Sequence, residues 1–407
     1  MATVNLADYA PLVGQSMLDE IKALGEKLGG ASIQHINSTA VGGGVAEILA
    51  RLVPLMGEAG LKSEWTVMEG TPPFFQVTKT FHNAFHGVKV DVTPDMLETY
   101  REANRQNYNK VDTGANFVVV HDQQPLGLTE VMNQQQKWIW YCHIDPVDVD
   151  HRVWRFLGSF AGKCHAAIYH LPEYAKGLGL PEYLLPPAID PLSEKNREVT
   201  AEEKAQVLER LGILLDKPIV LQVSRFDRLK DPVGVIQAYK MVKKITPCQL
   251  ILAGGGAADD PEGAQVLAEV REASEGDPDI HILDLPPTAN LEINVLQRVA
   301  AVVVQKSLRE GFGLTVTEAM WKARPVVAAA VGGIKKQVLH EQTGLLAHSV
   351  EGAAWSIYRI LNNPAYGEVL AKAGREHVRK NFILPVYLRT WLGLLNAMGQ
   401  SEGYSGC

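Results

Sequence analysis

Only 4 cysteines occur in 407 residues, at Cys142, Cys164, Cys248 and Cys407. Their scatter excludes a C-x-x-C zinc or redox motif and offers no disulfide framework, so reduced thiols are expected. A basic surplus is also lacking. The 39 Lys and Arg stand against 46 Asp and Glu, for a net charge of −7, and no Lys/Arg block could follow a nucleic-acid backbone. No run of eighteen apolar residues occurs, and residues 1–15 carry Asp8 without a basic stretch leading into an apolar core. Neither a membrane span nor a secretory leader is expected, and the reading is a cytoplasmic protein with no membrane or nucleic-acid partner. No metal-ligand set and no internal repeat emerge either.

What is present fits a globular protein. The chain is 46% apolar and 21% charged, and its length exceeds one ordinary core, so two α/β domains are the natural expectation. In the first half, strand-like runs at residues 32–36, 88–92 and 117–120 alternate with helical patterns at 45–53 and 96–110. Such alternation marks a parallel sheet covered by helices. The aspartates within residues 145–150 read as a turn and cap before a helix at 154–160. Between residues 184 and 215 the texture changes to Leu185-Pro186-Pro187-Ala188-Ile189-Asp190-Pro191 and then to a Glu/Lys-rich stretch, which places the domain boundary there. A second series follows: strands at 219–223, 249–253 and 280–283, and helices at 233–243, 263–274 and 291–299. Ligands belong beyond the carboxyl ends of such strands.

The segment Arg309-Glu310-Gly311-Phe312-Gly313-Leu314-Thr315-Val316-Thr317-Glu318 is the most informative. Val302, Val303 and Val304 form a short strand, the glycines a tight turn, and residues 315–323 a helix whose first N–H groups suit phosphate. Glu310 then sits on the loop, and Glu318 reaches the same place from the first helical turn. Spacing alone leaves a second reading open, in which Thr315 to Glu318 is a capping box and Glu310 an exposed loop charge.

Three other segments carry candidate chemistry. Ser224-Arg225-Phe226-Asp227-Arg228-Leu229-Lys230 follows a strand and offers an Arg fork and a Lys point charge to a leaving diphosphate; Asp227 and Asp231 could instead neutralise both. Asn37-Ser38-Thr39-Ala40-Val41-Gly42-Gly43-Gly44 follows a strand and precedes a helix, and its glycines permit close backbone approach to a ligand. His143 ends Trp140-Tyr141-Cys142-His143, where a structural hydrogen-bonding role is equally open. Gly254-Gly255-Gly256 reads as a turn.

Together these motifs resemble the E-x7-E retaining glycosyltransferases of family GT4, and the match continues through Trp321, Lys322, Pro325 and Val326 to Val331-Gly332-Gly333-Ile334. At subfamily level the chain is similar to trehalose synthases of the glycosyltransferring type, on residues 42–49, 140–145, 190–196, 222–226, 259–263 and 309–322. The resemblance implies a GT-B fold, two Rossmann-like domains facing a central cleft. Residues 1–192, with 384–407 packing back as a terminal helix, make the acceptor-side domain, and residues 193–383 the nucleotide-sugar domain. It implies a retaining transfer of glucose from a nucleoside-diphosphate glucose (UDP- or ADP-glucose) to free glucose, giving α,α-trehalose, with trehalose phosphorylase or a non-catalytic sugar-nucleotide binder as alternatives. The implied catalytic residues are Glu310, His143, Arg225 and Lys230. Donor contacts fall to Gly43, Gly44, Arg225, Lys230, Glu310, Gly311, Phe312, Gly313, Leu314, Thr315 and Glu318, and acceptor contacts to Asp122 and Gln124. Gln123 stands where the family usually has proline, and Asp231 where it often has glycine. No cofactor or metal is implied; the partners are small sugars and a nucleotide sugar, and a homodimer is allowed.

Overall fold

The computed structural model describes residues 5–41, 43–255 and 261–400. Gly42 of the glycine run, and residues 256–260 with Gly256, Asp259 and Asp260, lie outside them. The chain divides into two compact units, Met1–Pro187 with Leu384–Cys407, and Ala188–Ile383.

The first unit is built on six parallel strands, β1 (Ser32–Asn37), β2 (Lys62–Val67), β3 (Phe117–His121), β4 (Lys137–Tyr141), β5 (Ala166–Tyr169) and β6 (Glu182–Leu184), in the order β2-β1-β3-β4-β5-β6. All five residues of β3 are buried, as expected for a central strand covered on both faces. The core gathers Trp138, Trp140 and Tyr169 from the sheet with Phe81, Tyr100 and Phe156 from its helices. Helix Gly44–Glu58 starts from Gly43, whose φ of 110° an L side chain rarely adopts. The terminal helix Leu384–Gln400 lies in this unit, where Asn396 donates to the Leu24 carbonyl and Trp391 packs edge-on to His35.

One expected element is absent. Residues 88–92 are not a strand: they pass between helices Pro72–Phe85 and Pro94–Gln106, Val88 is exposed, and Arg152 rather than a neighbouring strand donates to the Val90 carbonyl. Without a partner edge, β-branched composition does not make a strand. Strand β2, which the sequence reading misses, has only partly buried residues besides exposed Lys62 and Glu64, so its apolar signal is weak.

The second unit holds β7 (Ile219–Val223), β8 (Gln249–Gly254), β9 (Ile280–Asp284), β10 (Val302–Gln305), β11 (Val326–Ala329) and β12 (Leu345–Ala347), again all parallel, in the order β12-β11-β10-β7-β8-β9. The direction of winding reverses between β7 and β10, leaving a crevice beyond their carboxyl ends where ligands of such sheets bind. Gly254 is required there, because a Cβ would lie 1.9 Å from the Ser224 carbonyl oxygen. Among the described residues no helix is long and apolar enough to cross a membrane.

Candidate functional site

In the second unit, β7 runs into the loop carrying Arg225 and Lys230, and β10 into the loop carrying Glu310, so the two segments emerge on either side of the winding reversal. They meet: the Lys230 ammonium lies 2.7 Å from Glu310 Oε2, and Ser307 Oγ donates to the same oxygen at 3.2 Å. Asp231 does not neutralise Lys230. Its carboxylate instead accepts from the Gly234 N–H at 3.0 Å and pairs with Lys306, capping helix Pro232–Lys243. Asp231 has φ 48°, a left-handed conformation that glycine takes without cost and aspartate tolerates. The loop therefore keeps its turn. Arg225 behaves differently: its side chain is 56% exposed and lies 3.6 Å from the Asp227 carboxylate.

Helix Leu314–Trp321 begins at Gly313, which has φ 87° and no capping side chain. A Cβ at Gly313 would come within 3.1 Å of Glu310 Cγ, so glycine lets the Glu310 side chain lie against the helix start. Behind the loop, Gly333 donates to the Gly311 carbonyl and would, with a Cβ, lie 2.6 Å from that oxygen. Phe312 turns its ring inward against Phe382, and Gln337 donates to its carbonyl, so of this residue only the backbone is left to face a ligand. Thr315 Oγ1 donates to Gln305 at 3.3 Å, and Leu314 is partly exposed.

Glu318 is the fifth helical residue, just past the first turn from which it was expected to reach the site, and the alternative capping box does not form. The carboxylate is 3% exposed, accepts from Gln297 Nε2 at 3.2 Å and has Lys195 Nζ at 3.6 Å. Gln297 is in turn held by the buried Lys322 ammonium, which donates to Gln297 Oε1 at 2.7 Å and Asn196 Oδ1 at 2.8 Å. An ammonium can only donate, so it forces the amide nitrogen of Gln297 toward Glu318. Burial pushes the Lys322 ammonium down to about 7, opposed by the Glu318 charge. Lys195 and Gln297 were given no role from sequence, although Lys195 lies in the 190–196 stretch that carries the resemblance; both are distant from Glu318 along the chain.

In the first unit, Asp122 follows β3 with φ 62°, unusual for a residue other than glycine. Its carboxylate accepts the His143 backbone N–H at 2.7 Å, and burial pushes it up to about 7. Asp122 thus combines a left-handed backbone with a carboxyl perturbed by burial. Gln124 is partly exposed, and its carbonyl accepts from Asn104 at 3.2 Å. Gln123 turns into the core and donates to the Thr78 carbonyl. His143 stacks on Tyr141 with ring centroids 3.9 Å apart, and both its nitrogens are engaged, with His121 at 2.9 Å and His170 at 3.3 Å. Gly43 and Gly44 open the helix that follows β1, with open space beside Gly43.

Comparison with known proteins agrees with this division. Residues 35–176 match the trehalose synthase N-terminal domain, and residues 203–377 match glycosyl transferases group 1. The chain is 42% identical over 404 residues to a trehalose synthase of Pyrococcus horikoshii, covering 97% of this chain and 96% of that one. A trehalose phosphorylase of Pleurotus pulmonarius is more distant, 23% identical over 435 residues that cover 92% of this chain and 58% of the phosphorylase. The fold is that of an α,α-trehalose-phosphate synthase (UDP-forming) from Burkholderia vietnamiensis, with a TM-score of 0.73 at 15% identity over 92% of this chain and 99% of that one.

Proposed function

Because the chain belongs to the trehalose synthase family of glycosyltransferases, we propose that it transfers glucose from a nucleoside-diphosphate glucose to free glucose with retention, giving α,α-trehalose. The observation that carries this reading is the meeting of Lys230 and Glu310 at the winding reversal of the second sheet, beside a helix start. Lys230 and the exposed Arg225 fork would take the diphosphate, and the first N–H groups of helix Leu314–Trp321 would add donors aimed at the same charge. As the glycosidic bond breaks, negative charge grows on the leaving phosphate. Cations already in place cost no reorganisation at that moment.

Glu310 would hold hydroxyls of the donor glucose and Glu318 those of the nucleotide ribose. Neither is cast as a nucleophile: Glu310 is already neutralised by Lys230, and Glu318 is buried and oriented by Gln297. Following the resemblance to retaining GT4 enzymes, the departing phosphate itself takes the acceptor proton, on the face it leaves, which retains the α configuration without the carboxylate pair of a double displacement. Asp122 and Gln124 would receive the acceptor glucose, with the Asp122 carboxylate accepting from a hydroxyl. The chemistry assigned to these residues needs no metal or cofactor.

A donor survey with purified protein tests the reading. Trehalose formation from a nucleoside-diphosphate glucose and glucose is the expected result. Turnover only with trehalose and phosphate would assign a phosphorylase, and tight nucleotide-sugar binding without turnover a sensor.

A further inference from the structure

Three strands of the first sheet end in, or are followed within two residues by, a histidine, and a fourth histidine lies within β1. His35 stands on β1, His121 closes β3, His143 follows β4 and His170 follows β5. These four strands are adjacent in the sheet. In the register, His35 is opposite Val119 and His121 lies two residues further along; Tyr141 is opposite His121 and His143 two further; Ile168 is opposite Tyr141 and His170 two further. A step of two returns a side chain to the same face. The imidazoles consequently form one diagonal file. The nitrogen separations are 3.0 Å from His35 Nδ1 to His121 Nε2, 2.9 Å from His121 Nδ1 to His143 Nε2, and 3.3 Å from His143 Nδ1 to His170 Nε2. Ring centroids are 5.3, 5.2 and 5.3 Å apart.

Each link needs one N–H and one lone pair, and a neutral imidazole has one of each. Burial holds these rings neutral, His121 and His143 well below the usual histidine range and His35 down to about 3. Two arrangements alone satisfy all three links: every donating ring protonated on Nδ1, or every donating ring on Nε2. In both, His35, His121 and His143 carry their proton on the same nitrogen, so the three rings change tautomer together. His35 Nε2 is buried and ends the file at β1.

We propose that His35, His121, His143 and His170 form a single tautomerically coupled file, and that His35 and His121 are positioning residues that set the protonation pattern of His143. Both nitrogens of His121 and of His143 are taken up by links of the file, so in either arrangement His143 keeps no uncommitted lone pair for a proton. Its ring stays neutral. That bears on transfer if, as the resemblance implies, His143 is a catalytic residue of the proposed glucose transfer, because a neutral ring does not oppose the positive charge that builds at the anomeric carbon. The groups around the file fit this. Tyr141 stacks on His143 and is hydrogen-bonded to Tyr387, Asp122 takes the His143 backbone N–H, and Trp391 closes the His35 end.

The test is ring-15N NMR of the full chain labelled at histidine, with assignments from single substitutions. His35, His121 and His143 are expected to show one and the same neutral tautomer from pH 8 down to pH 5.5. Different tautomers among the three, or an imidazolium at any of them, at pH 7 would overturn the proposal. His35→Phe keeps the ring against Trp391 but breaks the link; it should scramble the His121 and His143 pattern and lower kcat about tenfold, the worth of one neutral hydrogen bond. His35→Asn, which offers an amide at the position of Nδ1, should restore both. A kcat loss in His35→Phe with the His143 pattern unchanged would assign His35 to packing alone and refute coupling. If the wild-type spectrum is as expected but the protein transfers no glucose, the functional reading fails while the file stands.

Discussion

Replacing Lys230 with methionine removes the ammonium while keeping most of the side-chain volume. In the native protein Lys230 and Glu310 approach to 2.7 Å with side chains 19% and 10% exposed, so the pair is largely out of water and poorly screened. Removing one partner of a buried pair leaves the other charge uncompensated, at a cost of roughly 3–5 kcal/mol. For a unit the size of Ala188–Ile383, that corresponds to a fall in melting temperature of roughly 6–20 °C. Glu310→Gln should cost less, because Gln retains an oxygen able to accept from Lys230. The double variant Lys230→Met/Glu310→Gln removes both charges, and its stability should recover most of the loss seen for Lys230→Met. Activity should not recover. A donor lost from a developing oxyanion costs on the order of 10²–10³ in kcat, and the double variant lacks both the phosphate cation and the sugar carboxylate. Melting curves and kcat on the wild type and three variants decide the matter. Additive losses of stability would refute the coupling, and recovery of kcat with stability would reduce Lys230–Glu310 to a structural ion pair.

Arg225→Ala should leave the melting temperature within about 0.5 kcal/mol of stability, since the side chain is exposed and loosely paired, while kcat falls by about two orders of magnitude; unchanged kinetics would remove Arg225 from the phosphate site. Lys322→Met frees Gln297 to rotate its amide, so calorimetry should show nucleotide affinity reduced by roughly tenfold, the worth of one hydrogen bond to a charged group, and undiminished affinity would show that Glu318 needs no such orientation. Asp122 should impose an acid limb near pH 7 on kcat/KM that Asp122→Asn abolishes. The sign for stability is opposite to that of a salt-bridged carboxylate: the folded-state value is raised, the native state binds more protons than the unfolded state between about pH 4 and 7, and stability falls as pH rises through that window. Denaturant titrations at pH 5 and pH 8 should show the wild type losing stability relative to Asp122→Asn, and an identical change in both would sink the assignment.

The second unit was the more legible half. Strand β7 and the helices after β7, β8 and β9 appear where the apolar periodicity puts them, because β7 and nearly all of β8 are buried and read as apolar runs, while β9 at the sheet edge is only partly buried. The first unit was harder. Residues 88–92 look like a strand but find no edge to join, and β2 looks polar because it borders the sheet. The Glu310 loop was legible because its glycines and helix start are local. The partners of Glu318 were not, since Lys195, Gln297 and Lys322 converge from separate segments. The histidine file left a trace in the sequence, namely strand runs that end at or near a histidine. Its meaning depends on strand order and a two-residue stagger, which no single segment contains.

The most direct measurement is carbon-13 NMR of the disaccharide made by purified protein from a nucleoside-diphosphate glucose and anomeric-carbon-labelled free glucose. Under retention, with the phosphate leaving from the face the acceptor enters and no carboxylate nucleophile, both anomeric carbons should report α linkages in a non-reducing product. A β linkage at the transferred glucose, or a free reducing end, would contradict the account.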